Sequence, residues 1–214
     1  MSAALPTRAQ LSTLAVLLPS KPAHLAVDRG GTVYVSQPTD TGRDLVLRIG
    51  QSQTLETTAL TSAAIAQSLG NPELKGNLHA LCAGADGHLY FYFASTTGRR
   101  SEFALGQYHT RTAIVRILAD SKALLRASGL GASLELAAPQ LAATDSAIYL
   151  SLATIDSEVV LKFDLHALNR PGMVELSRAF VGIRLGEERI SLSHPGVRLC
   201  SNIGRNLLVV DGHT

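Results

Sequence analysis

Seven histidines and one arginine-rich stretch are the groups of this chain best suited to chemistry. The histidines, His24, His79, His88, His109, His166, His194 and His213, follow no HExxH or other paired metal-ligand spacing. Neither a G-x-S-x-G elbow nor a phosphate-cradling glycine loop occurs, so the sequence assigns no catalytic residue, no metal ligand and no cofactor. The stretch Ala94–Thr112 (ASTTGRRSEFALGQYHTRT) gathers Arg99, Arg100, Tyr108, His109 and Arg111. Guanidinium groups pair with anions and aromatic rings stack on planar groups, so this set suits an anionic or aromatic partner.

The elements that must position these groups come from a phrase that recurs four times. It reads GGTVY at Gly30–Tyr34, DGHLY at Asp86–Tyr90, DSAIY at Asp145–Tyr149 and, more weakly, GRNLL at Gly204–Leu208. Tyr34, Tyr90, Tyr149 and Leu208 recur at intervals of 56, 59 and 59 residues, and such regularity points to a repeat architecture. An apolar, small-residue run precedes each copy (Leu25–Val27, Leu81–Ala83, Leu141–Ala143, Val197–Cys200) and a second strand follows the turn (Val33–Ser36, Leu89–Phe93, Ile148–Leu152, Leu207–Val210). A third element with one cation among aliphatics recurs at Leu45–Ile49, Ala113–Ile117 and Val159–Phe163, carrying Arg48, Arg116 and Lys162. Gln53–Leu60, Ala123–Ala127 and Met173–Leu176, the last running on to Leu185, follow as fourth strands. Thr61–Leu69 reads as a short helix stopped by Gly70 and Pro72, whereas Ser121–Ser128 is expected to be strand.

Four antiparallel strands per unit describe a β-propeller blade. The expected fold is therefore all-β, one propeller-like domain with units at 20–60, 77–127, 137–185 and an incomplete 195–214. Leu11–Leu18 is placed to close the ring as an outermost strand. The stretch Ser20–Ser36 (SKPAHLAVDRGGTVYVS), with a Pro, an aliphatic strand ending in Asp and then Gly-x-aliphatic-Tyr-Val, resembles NHL-type blades and the related senescence-marker/gluconolactonase-like propellers. The likeness continues in His79–Phe93 and Pro139–Ser151. Rings of those kinds are built of more blades than are visible here, which implies a piece of a six- or seven-bladed ring, completed by further blades or another subunit. The gluconolactonase likeness further implies a divalent metal such as Ca in the channel and a lactonase- or esterase-type hydrolysis. Asn77 and Asn202 lie near inner strands, but no carboxylate completes the set.

Composition sets the remaining bounds. Hydrophobic residues make up 46% and charged residues 17% of 214, as in a folded globular chain. A net charge of +2 without a concentrated basic face argues against nucleic acid, and no apolar run reaches the roughly 20 residues of a membrane helix. Leu11–Leu18 lacks a signal-peptide cleavage site after it, so the compartment stays open, with the cytoplasm slightly favoured. Cys82 and Cys200 occupy equivalent positions in non-adjacent repeats, a column shared with Ala26 and Leu141, and are not expected to pair. Asp28, Asp86 and Asp145 recur beside the tight turn, where a short carboxylate caps backbone N–H groups.

Strand alternation puts the two-to-three links and the links between units at one end. Tyr34 to Arg48 is 14 residues and Tyr149 to Lys162 is 13, but Tyr90 to Arg116 is 26. An insertion of about a dozen residues within 94–112 is thus expected on the same face as segment 61–76, with His24 and His79 entering the inner strands from that face. The function expected is a non-catalytic scaffold binding a protein or small ligand through that loop face.

Overall fold

The computed structural model describes residues 23–38, 44–49, 55–95, 102–129, 137–153, 158–166, 176–180, 183–185, 188–190, 198–201 and 207–210. The expected ring-closing strand 11–18 lies outside them. Three four-stranded antiparallel sheets follow the chain in simple meander order. The first is β1 (His24–Val27), β2 (Val33–Pro38), β3 (Asp44–Ile49) and β4 (Leu55–Thr61). The second is β5 (Asn77–Ala83), β6 (His88–Ser95), β7 (Glu102–His109) and β8 (Ile114–Ala119). The third is β9 (Ala137–Ala143), β10 (Ala147–Ala153), β11 (Glu158–Asp164) and β12 (Leu176–Phe180). Two hairpins follow, β13 (Ile183–Leu185) with β14 (Glu188–Ile190), and β15 (Arg198–Ser201) with β16 (Leu207–Val210).

The sheets stack like propeller blades. β1 contacts β5, β5 contacts β9 and β9 contacts β15, so the first strand of each unit is innermost. β6 shows why such a strand needs no polar face. Leu89, Phe91 and Phe93 enter the cluster shared with the first sheet, while Tyr90, Tyr92 and Ala94 enter the cluster shared with the third. Burial on both sides turns the alternating code of a half-wet strand into the continuous apolar run HLYFYFAS.

The repeat is also visible in register. Tyr34 faces Ala26, Tyr90 faces Cys82, Tyr149 faces Ala142 and Leu208 faces Cys200. The third member of the cysteine column is therefore Ala142 rather than Leu141, because the β9–β10 turn is one residue tighter. Cys82 is a free thiol packed against the cluster between the second and third sheets.

Two sequence expectations are corrected. Ser121–Ser128 is a helix, α2, not a fourth strand: Asp120 caps its start, accepting from the Ala123 N–H at 2.9 Å, and Gly129 closes it in the left-handed conformation at φ 65°. The shorter α1 (Ser62–Ser68) begins as read, with Thr61 Oγ1 accepting from the Ala64 N–H at 3.1 Å. Ala113–Ile117 is not the third strand of its unit. Tyr34 pairs with Arg48 and Tyr149 with Lys162, but Tyr90 pairs with Gln107 and Arg116 lies one strand further out, on β8. The interval of 26 residues thus contains a whole strand, β7. The sequence signal failed because EFALGQYH has no exposed position, with Phe103–Gly106 buried in a row, and lacks the marking cation.

β7 and β8 are joined by a tight turn, where the Ala113 N–H returns to the His109 carbonyl at 2.9 Å. Ala113 adopts φ 59°, a left-handed conformation that costs a β-carbon about 1–2 kcal/mol. Ala113→Gly relieves that cost against the greater freedom glycine gives the unfolded chain. A net gain of about 0.5–1 kcal/mol is expected in urea unfolding, and a loss of stability would show that the turn is held by its side chain instead.

Candidate functional site

The two ends of the blades differ in kind. At one end lie the tight β1–β2, β5–β6, β7–β8 and β9–β10 turns; the Thr110 N–H and hydroxyl both reach the Gly87 carbonyl, at 3.2 and 2.8 Å, and tie two of them together. At the other end lie α1, α2 and the facing ends of the second and third strands, such as Ser95 and Glu102.

The aspartates at the turn end do two different things. Asp28 Oδ1 accepts from the Thr32 N–H at 2.9 Å and Asp86 Oδ1 from the His88 N–H at 3.3 Å, as turn caps. Their second oxygens receive the inward tyrosine hydroxyls, Tyr34 at 3.5 Å and Tyr90 at 2.7 Å. Burial, then the hydrogen bond and charge of Asp86, push the Tyr90 phenol far above its ordinary range. In the third unit Thr144 takes the capping role, its Oγ1 accepting from the Ala147 N–H at 3.1 Å. Asp145 instead binds Arg29, whose Nη2 donates to both of its carboxylate oxygens, at 2.8 and 3.1 Å. That pair joins the turn of the first blade to the turn of the third. Both side chains are substantially exposed, so the contact is informative about geometry more than about stability.

Towards the opposite end the inner strands line a cleft of about 280 Å3, formed by Ala23, His24, Leu25, His79, Ala80, Leu81, Pro139, Gln140 and Leu141. Three strands from three blades build it. The register of β5 slips between Leu78 and Ala80, so His79 is the extra residue of a β-bulge, a device that re-aims a side chain. β9 slips at the same level, between its pairings of Gln140 with Ser151 and Ala137 with Ala153. His24 spans the first two blades: its Nε2 lies 3.0 Å from the Leu78 carbonyl. A carbonyl only accepts, so that nitrogen carries the proton. His24 therefore clamps the bulge that presents His79, which is exposed.

The other sequence-derived candidates fall elsewhere. Arg99 and Arg100 lie outside the described residues, although Ser95 and Glu102, the ends of β6 and β7 on either side, are at the cleft end. Tyr108 is core, 3% exposed, and its hydroxyl receives the Ala59 N–H at 3.3 Å. His109 and Arg111 sit at the turn end, opposite the cleft. His109 Nδ1 accepts from the Thr112 N–H at 3.0 Å, which fixes the proton on its other nitrogen, and its ring meets His88 edge-on at 4.8 Å. His88 Nδ1 is 2.9 Å from Asp86 Oδ2 yet makes no hydrogen bond among the described residues, so the contact is one of proximity. Asn77 opens β5 and is exposed; Asn202 lies outside the described residues. Gln140 is the lining residue that sequence reasoning missed. Its signal was the column it shares with His24, one step before the apolar triplet.

Among the described residues, no three His, Cys, Asp or Glu side chains gather as a metal site, and no helix is long and apolar enough to cross a membrane. No protein-family model matches the chain, and no curated protein matches it. Among solved structures, the β-propeller domain of Nup133 from Vanderwaltozyma polyspora is similar with a TM-score of 0.43 at 11% identity, over 90% of this chain and 54% of that one. The chain thus spans about half the length of that domain.

Proposed function

We propose that this protein is a non-catalytic interaction scaffold whose binding end is the open end of the inner strands, where His24, His79 and Gln140 line the cleft. The observation that supports it is the bulge at His79: a rigid sheet spends one ladder position to aim an imidazole into a cavity between blades, and β9, which supplies Gln140 to the lining, carries a second register slip. Arg99 and Arg100 belong to the same end in this reading, and the partner is a protein segment or a small ligand. Tyr108 belongs to the core, and His109 and Arg111 to the turn end. The finer assignment to NHL-type or gluconolactonase-like blades rests on the turn-and-tyrosine phrase of the first three repeats. Lactone hydrolysis calls for carboxylates around a channel metal, and the described residues of the cleft lining include no carboxylate.

A filled mouth tests the assignment of ends. Peptides selected from a displayed random library on the parent chain are compared on Ala23→Trp, an exposed residue at the cleft, and on Ile114→Ser, an exposed residue at the turn end. At least ten-fold weaker binding to Ala23→Trp, with Ile114→Ser unchanged, is expected. Undiminished binding to Ala23→Trp would refute the proposal.

A further inference from the structure

The chemistry of the cleft is one-sided. Among the described lining residues the polar side chains are His24, His79 and Gln140, and none is Asp, Glu, Lys or Arg. The Nε2 proton of His24 is committed to the Leu78 carbonyl, which leaves the His79 ring and the Gln140 amide, from neighbouring strands, to meet a ligand. Both can donate, and no described lining residue carries a carboxylate to repel an incoming anion. A phosphate dianion would want a guanidinium or ammonium among its donors, whereas a carboxylate is matched by an imidazole and an amide. The rest of the lining is apolar. Leu25 stands 56% exposed, unusual for a leucine of an inner strand, and Leu81 and Leu141 form the walls behind it. At about 280 Å3 the cleft falls just short of the range that encloses a whole drug-sized molecule, so it suits the end of one.

We infer that the cleft takes the carboxylate end of an apolar acid, with the carboxylate on His79 and Gln140 and the neighbouring apolar group against Leu25. The acid is either a free small molecule or the C terminus of a peptide. This assignment rests on the proposal that the cleft end is the binding end.

The test is a titration of the full chain, followed through its histidine ring signals, with N-acetyl-leucine and N-acetyl-leucinamide, and with a leucine-terminated tetrapeptide as free acid and as amide. Each acid should bind at least ten-fold more tightly than its amide. His79→Ala should abolish that preference while the far-ultraviolet circular dichroism stays unchanged, and His79→Gln, which keeps a donor, should retain part of it. A tetrapeptide tighter than N-acetyl-leucine identifies a peptide C terminus; equal affinities identify a free acid. Equal binding of acid and amide, or an undisturbed preference in His79→Ala, overturns the inference. If no acid binds while Ala23→Trp still blocks the selected peptides, the carboxylate assignment fails and the scaffold reading stands. Failure of both experiments overturns both.

Discussion

Gly106→Ala is expected to destabilise the protein by about 2–3 kcal/mol, at the upper end of what overpacking a core costs, although it adds a single methyl group to a strand. Gly106 faces Phe91 across the β6–β7 ladder, and a β-carbon built on it would stand only 2.2 Å from Phe91 Cζ and 2.6 and 2.9 Å from the two ε-carbons. The ring has nowhere to go. Phe91 is fully buried among Leu89, Phe93, Ile65 and Tyr108, between the first two blades, and interiors packed to crystal density do not yield without moving neighbours. Phe91→Ala alone should cost about 3–5 kcal/mol through lost burial and the cavity left behind. The two changes are coupled. In the Phe91→Ala background the added methyl enters vacated space and removes the entropic cost of a strand glycine, so Gly106→Ala should become neutral or stabilising by a few tenths of a kcal/mol. Urea unfolding of the four proteins measures this. If Gly106→Ala costs the same with and without the ring, the clash is not what makes glycine necessary there.

The same pair shows what could be read from the chain and what could not. The hairpins were legible because the turn phrase demands glycine or a short capping side chain at fixed spacing from an inward tyrosine, and Tyr34 to Asp28 and Tyr90 to Asp86 are the bonds behind that spacing. The second blade misled because β7 obeys a different local rule. Gly106 breaks its propensity, Phe103, Ala104 and Leu105 give it no polar face, and Glu102 and Gln107 replace the cation that marks the other third strands. Counting from the next cation, Arg116, turned one strand into an apparent loop, and the binding face drawn around it mixed both ends of the blade. α2 was misread for a related reason: the segment follows a strand in sequence order, and only the Asp120 cap with the Gly129 stop distinguishes it. His24 and His79, by contrast, were placed by the parity of strand entry alone, and they line one cleft. What sequence could not give is the bulge at His79, since an extra residue in a ladder exists only relative to its partner strand.

Tyr90 and Tyr92 stand two residues apart on one face of β6, both fully buried, and losing their hydroxyls should have opposite effects. The Tyr90 hydroxyl donates to Asp86 at 2.7 Å. Tyr90→Phe removes a hydrogen bond to a carboxylate, at a cost of about 1–2 kcal/mol given that Asp86 is itself exposed. The Tyr92 hydroxyl has no hydrogen-bond partner among the described residues. It was stripped of water on folding without compensation, so Tyr92→Phe should stabilise by about 1 kcal/mol. Alkali separates the two further. Burial pushes the Tyr92 phenol far above its ordinary range, as burial followed by Asp86 does for Tyr90, and burial with a lesser push from Asp86 raises the Cys82 thiol. In the unfolded chain a thiol ionises near about 8.5 and a phenol near about 10. Above those values the unfolded chain sheds protons that the folded chain keeps, so this contribution to stability is complete in the neutral range and drains away as pH climbs. Urea unfolding at neutral pH and above pH 10 should therefore show the advantage of Tyr92→Phe widening, because the variant no longer carries one of the groups that must stay protonated. The deficit of Tyr90→Phe should narrow over the same interval. A Tyr92→Phe chain that is less stable than the parent at neutral pH would mean that its hydroxyl has found a partner, and the account of β6 as a strand sealed on both faces would have to be redrawn around a polar contact.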